Sequence, residues 1–283
     1  MTDIPRFRTQ AEFLVNDAPA AELAAVFEGG GSLGHGDDLR AMIVHELVLA
    51  EHDVANDPLV GRWARRTHWR HHGLGWLPLE LADFERSPGR RGVRFEQEWE
   101  ALLADRSIDA AGRATEVVET TTDDYTRRAG QPFAHWAKHS NGKIDAHEYL
   151  AADAVRDDDL CDLLVHAAPA FLGGGRTLRA IPVTLAQVWL RLYQAGSAAG
   201  YYAPSPGGAH GRLHAWQSIA ALAGAPAAAN PDDVARLART CRWFALDVTS
   251  AWFWDAWWVS DVALACVGPE SDRVAVIAAT DTD

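Results

Sequence analysis

Asp261-Val262-Ala263-Leu264-Ala265-Cys266-Val267-Gly268-Pro269-Glu270-Ser271-Asp272-Arg273-Val274-Ala275-Val276-Ile277-Ala278-Ala279 is the stretch that decides the fold class. Two apolar runs flank a turn opened by Gly268-Pro269, the pattern of an antiparallel hairpin. Just upstream, Trp243-Phe244-Ala245-Leu246 and Trp252-Phe253-Trp254 are aromatic runs suited to strands. Before Cys241 the character changes. Asn230-Pro231-Asp232-Asp233 offers a capping side chain, a proline at the first helical position and two acids, which together start a helix.

Helical signals continue toward the N-terminus. Arg212 to Ala223 and Val183 to Ala195 read as helices, separated by a glycine- and proline-rich linker from Gly200 to Gly211. Asp157-Asp158-Asp159 opens a helix that Gly173-Gly174-Gly175 ends. A short helical piece carries His135 and His139, bracketed by turns, and β-branched Thr115 to Thr122 reads as a strand. Phe95, Trp99, Leu102 and Leu103 make one helical face. Asp37-Asp38 opens a helix with Leu39, Met42, Ile43 and Leu47, and Ala11 to Val26 forms another. The expected fold class is therefore α+β: a mostly helical body with a small C-terminal antiparallel β element. The body spans 1–205, and a helix pair plus hairpin over 206–283 docks on it as one unit.

Composition narrows the function classes. Hydrophobic residues make up 48% and charged residues 23% of 283 positions, with twelve tryptophans, so a substantial core can form. A net charge of −13 argues against a general nucleic-acid face or an anionic membrane surface. No apolar run long enough to span a bilayer and no signal-type N-terminus is present. With three cysteines lacking metal-ligand spacing, these features predict a soluble cytoplasmic protein with reduced thiols.

The densest chemistry lies in Arg62-Trp63-Ala64-Arg65-Arg66-Thr67-His68-Trp69-Arg70-His71-His72, which contains no acid. If this window is helical, Arg62, Arg66 and Arg70 share a face and form a clamp for phosphate or carboxylate, since guanidinium is a planar fork of donors. His68 and His72 then serve as catalytic proton-transfer groups, because imidazole titrates near neutrality. Ion pairing with the chain's many acids is the competing reading. Trp252-Phe253-Trp254-Asp255-Ala256-Trp257-Trp258 is the second anomaly. Strand alternation splits its aromatics between two faces, one packing on the core and one free to wall a pocket or meet a partner, which makes Trp254 and Trp257 ligand-binding candidates.

Other motifs carry less. Cofactors are not specified, and no metal is expected. If one binds, His135 and His139 at helical i, i+4 spacing are the first choice, ahead of His68 and His72. Asp158-Asp159-Leu160-Cys161-Asp162 looks like the diphosphate-metal motif of class I terpene synthases, but helix capping accounts for its acids. Gly173-Gly174-Gly175-Arg176 lacks the lysine of a P-loop.

Gly208-Ala209-His210-Gly211-Arg212-Leu213 with Trp216, and the ending Ala278-Ala279-Thr280-Asp281-Thr282-Asp283, resemble an uncharacterised actinobacterial family known only as a domain of unknown function. The resemblance covers the second half of the chain and implies no activity or site residue. The functional expectation rests on the residues themselves: an enzyme or binding protein for an anionic small molecule, using the arginine, histidine and tryptophan window. The alternative is a non-catalytic interaction or immunity-type protein that presents an exposed tryptophan-rich surface. Convergence of Arg66, His72 and the tail tryptophans on one pocket would favour the first.

Overall fold

The computed structural model describes residues 4–28, 35–66, 69, 71–86, 107–112, 116–173, 177–253 and 261–281. Helices α1 (Ile4–Asn16), α2 (Ala20–Glu28), α3 (His35–Leu49) and α4 (Val60–Ala64) come first, then strands β1 (Ile108–Asp109) and β2 (Val117–Glu119). Next come α5 (Asp123–Ala129), α6 (Ala134–His139), β3 (Lys143–Ala151), α7 (Leu160–Ala167) and β4 (Thr177–Val183). Helices α8 (Leu185–Ser197), α9 (Gly208–Leu222) and α10 (Pro231–Thr240) precede β5 (Arg242–Thr249), β6 (Asp261–Val267) and β7 (Arg273–Thr280).

The strands hydrogen-bond in the order β1-β4-β5-β6-β7-β3-β2. Every neighbouring pair is antiparallel. The expected β6–β7 hairpin forms, with Leu264 opposite Ile277 and Val267 opposite Val274. The sheet is not confined to the C-terminus, however: β1, β3 and β4 come from stretches where no strand was expected, whereas β2 falls within the strand expected at Thr115 to Thr122. Strand β3 escapes the sequence reading because Asp145, His147 and Glu148 place polar groups on both of its faces and hide the apolar alternation. Strand β4 runs directly into α8, whose capping box is made by Thr184 and Gln187. Val183 therefore belongs to the strand rather than to the helix.

Both faces of the sheet are buried, which explains why β6 and β7 are almost wholly apolar. One face, with Trp243, Leu264, Cys266 and Ile277, lies under α3, α8 and α9 in the larger core. The other, with Phe244, Leu246, Val267 and Val276, packs on Leu160, Leu163 and Leu164 of α7 and on Phe171 and Phe253. Arg191 of α8 donates to the Asp261 carbonyl at 2.6 Å and the Tyr125 hydroxyl to the Val276 carbonyl at 3.0 Å, pinning helices to the sheet.

Four other local expectations change. Ala11 to Val26 is two helices, divided at Asp17–Pro19, because proline cannot donate to the preceding turn. The segment after Asp157 is a single 3-10 turn followed by α7, and it ends at Ala168 with φ 49, ahead of Pro169, rather than at Gly173. The 200–211 linker is shorter, since α9 begins at Gly208. The 62–72 window is not one helix: α4 stops at Ala64 with Arg65 as its cap, so Arg62 and Arg66 do not share one helix, and Arg70 lies outside the described residues. The helical face at 95–103 lies outside the described residues.

Candidate functional site

Helix α3 turns Asp38, Met42, His45 and Glu46 toward α9, at the spacing that keeps four side chains on one helical face. Glu46 accepts the Ala209 amide at 2.8 Å and so caps the start of α9. Burial raises its pKa to about 7. One turn further along α9, Arg212 is fully buried against Glu85, which it grips with Nε at 2.7 Å and Nη2 at 2.8 Å. The same guanidinium donates to the carbonyls of Pro78 and Glu80, both at 2.9 Å, and to His45 Nδ1 at 2.8 Å. All five of its donors are therefore spent. His45 must carry its proton on Nε2, which donates to the Leu74 carbonyl at 2.8 Å. Burial, and then the Arg212 charge, hold its pKa well below the ordinary value. This network fastens the 74–85 segment to α3 and α9.

The fastened segment positions His72. Its Nδ1 accepts the Leu74 amide at 3.1 Å, so Nε2 carries the hydrogen and donates to Asp38 Oδ1 at 3.1 Å. The ring stacks on Trp69 at 5.9 Å and 4°, and Trp69 in turn stacks on His45 at 5.7 Å. A cavity of about 200 Å³ opens between these parts. Asp38, His72 and His210 give it polar walls, and Met42, Leu74 and Leu213 apolar ones. Burial and then the nearby His72 lower the His210 pKa, which favours the neutral imidazole. Its Nδ1 is buried with no hydrogen-bond partner among the described residues. His214, one turn on, is pushed down to about 4 by burial, and its Nδ1 also has no partner among the described residues.

The sequence-derived candidates fare unevenly. His72 lines the cavity. Arg62 and Arg66 are exposed and line neither this cavity nor the groove of about 350 Å³ formed beside Val48 and Leu81. His68, Arg70, Trp254 and Trp257 lie outside the described residues. Of the tryptophan-rich stretch, Phe253 is buried in the core and Trp252 is partly covered by Lys143, whose ammonium sits 5.6 Å from the ring centre. His135 points Nε2 at the Ala198 carbonyl at 3.1 Å while His139 is exposed. Among the described residues no group of three or more His, Cys, Asp or Glu side chains is placed to hold a metal ion.

The sequence reading missed Asp38, taken only for a helix-start acid, and His210, which lies in the Gly208–Leu213 motif without a role assigned there. A family model described as a family of unknown function (DUF6183) matches residues 3–283. The chain belongs to that family. The match embraces both halves, so the kinship is not limited to the C-terminal segment, and Asp38, His72 and His210 all fall inside it. No curated protein and no solved structure matches the chain. No helix among the described residues is long and apolar enough to cross a membrane.

Proposed function

We propose that this member of DUF6183 binds a small molecule in the α3–α9 cavity and acts there as a proton-transfer enzyme. The carrying observation is His210 beside the Asp38–His72 pair on one cavity of about 200 Å³, and burial favours its neutral form. A neutral imidazole can accept a proton near pH 7, whereas an imidazolium cannot. Asp38 and the Leu74 amide occupy both nitrogens of His72, so His72 orients and polarises, and His210 is the proton acceptor. The cavity's formal charge is the Asp38 carboxylate, which suits a neutral or cationic hydrogen-bonding ligand. An anion would need the arginine clamp, and Arg62 and Arg66 stand elsewhere.

Affinity selection from a mixture of soluble metabolites, read by mass spectrometry, tests this reading. Compounds retained by the wild-type chain should be lost from a Leu213→Trp variant that fills the cavity. An Asp38→Asn variant should retain them more weakly. An identical retained set for the wild type and Leu213→Trp would refute the assignment.

A further inference from the structure

We propose a second binding site, independent of the first, for a small planar carboxylate in the cleft between α5, α9 and the segment that leads into α10. The cleft has a volume of about 190 Å³ and is lined by Trp76, Arg127, Arg128 and Gln217 over an apolar floor that includes Ala220 and Pro226. That volume admits one six-membered ring bearing a carboxylate.

Arg128 supplies the anion-binding edge. Its side chain is only 16% exposed, and Nη2 is fixed by a 3.1 Å hydrogen bond to the Ala225 carbonyl. Nη1 forms an ion pair with the Asp124 carboxylate at 3.7 Å, too far for a hydrogen bond, so among the described residues this edge of the fork makes no hydrogen bond of its own. Asp124 directs its other oxygen to the exposed Arg127 at the rim. Gln217, half-buried on α9, has a side-chain amide with no protein partner among the described residues and can donate to the same carboxylate.

Trp76 supplies the flat wall. Its indole Nε1 donates to the Ala229 carbonyl at 3.1 Å, and its ring meets Trp216 at 87° and 6.1 Å, so two contacts fix its orientation. A fixed fork beside a fixed aromatic wall recognises a planar monoanion better than a tetrahedral one. The competing view is that Arg127 and Arg128 merely complement the C-terminal end of α5. That accounts for their charge but not for a cleft lined by Arg128 and by the Gln217 amide together with apolar side chains.

Sodium benzoate is the probe, titrated into the full chain at low salt and followed by calorimetry and by the Trp76 indole N–H resonance. The expected result is saturable one-to-one binding with Kd on the order of 1 mM. Arg128→Gln should raise Kd at least about tenfold, the loss of a charge-assisted bidentate contact. Because that change also removes the Ala225 bond, Gln217→Leu is the second variant: it leaves Arg128 anchored and should weaken benzoate about threefold or more. Leu213→Trp should leave benzoate binding unchanged, which separates this site from the histidine cavity. Absence of any Trp76 shift at about 20 mM benzoate overturns the proposal, as does an unchanged Kd in Gln217→Leu. Inorganic phosphate binding more tightly than benzoate overturns it equally, since it would mark a general oxyanion cleft.

Discussion

At the residue scale the buried Arg212–Glu85 ion pair joins α9 to the 74–85 segment. Arg212 and Glu85 are both fully buried, and the energetics of such pairs are asymmetric. Replacing Arg212 by Met leaves the buried Glu85 carboxylate with only the Ala82 amide as donor and deprives His45 Nδ1 of its own, at an expected cost of about 3–5 kcal/mol. The double change Arg212→Met/Glu85→Leu removes both charges and should recover more than half of that loss. Urea unfolding of the three proteins checks it: a double variant no more stable than Arg212→Met would mean that the carbonyl contacts to Pro78 and Glu80, not the ion pair, carry the stability. None of this network was legible beforehand. Glu85 and Arg212 are 127 positions apart, and neither sits in a pattern that names its partner. His72 stood out in the sequence because it lies in an arginine-rich window. The residues that share its cavity, Asp38 and His210, come from two different helices.

At the element scale the close crossing of α8 and α9 sets the seam. A Cβ on Gly211 would sit 2.5 Å from Ser197 Cβ and 2.8 Å from its backbone nitrogen, so the helices could not approach as they do. Gly211→Ala gains about 1 kcal/mol of helix propensity. It should nonetheless destabilise the protein by roughly 1–3 kcal/mol through the forced separation. A midpoint in urea equal to or above that of the wild type would show the crossing to be slack. Elements with local signals were readable from sequence: the Asn230 cap, whose Oδ1 accepts the Asp233 amide at 2.9 Å, the Asp37-Asp38 start of α3, and the Gly268-Pro269 hairpin. Strands β3 and β4 were not. Polar residues on both faces conceal β3, and β4 contains Pro182, which normally argues against a strand interior. Among the described residues β1 pairs only with Arg179 and Ala180, and no strand lies on the outer side of Pro182.

For the whole molecule, buried and paired histidines set the dependence of stability on pH. Burial lowers His214 to about 4 and also lowers His45, His135 and His210. Each contributes fully above the ordinary 6.5 and loses that contribution as pH falls through its lowered value. His147 behaves oppositely. Hydrogen bonds from it to Asp145 and Glu119, both 2.7 Å, raise its pKa to about 9, so its contribution is full below 6.5 and lost as pH rises toward 9. Glu46, raised to about 7, likewise loses its contribution as pH climbs from 4.5 through 7. Stability should therefore peak between about pH 5 and 7. His147→Gln should flatten the decline from pH 6.5 to 9, removing about 1–2 kcal/mol at pH 6 after allowance for solvent screening. An unaltered alkaline limb in that variant would contradict the assignment. The proposed chemistry rests on protonation as well, and long-range ¹H–¹⁵N spectra of the histidine rings, recorded across pH 5–8, test it most directly. The predicted result is a neutral His210 with a pKa below 6.5 and a His72 that carries its neutral-form proton on Nε2. A His210 still protonated at pH 7, or a His72 protonated on Nδ1 alone, would contradict the proton-acceptor site.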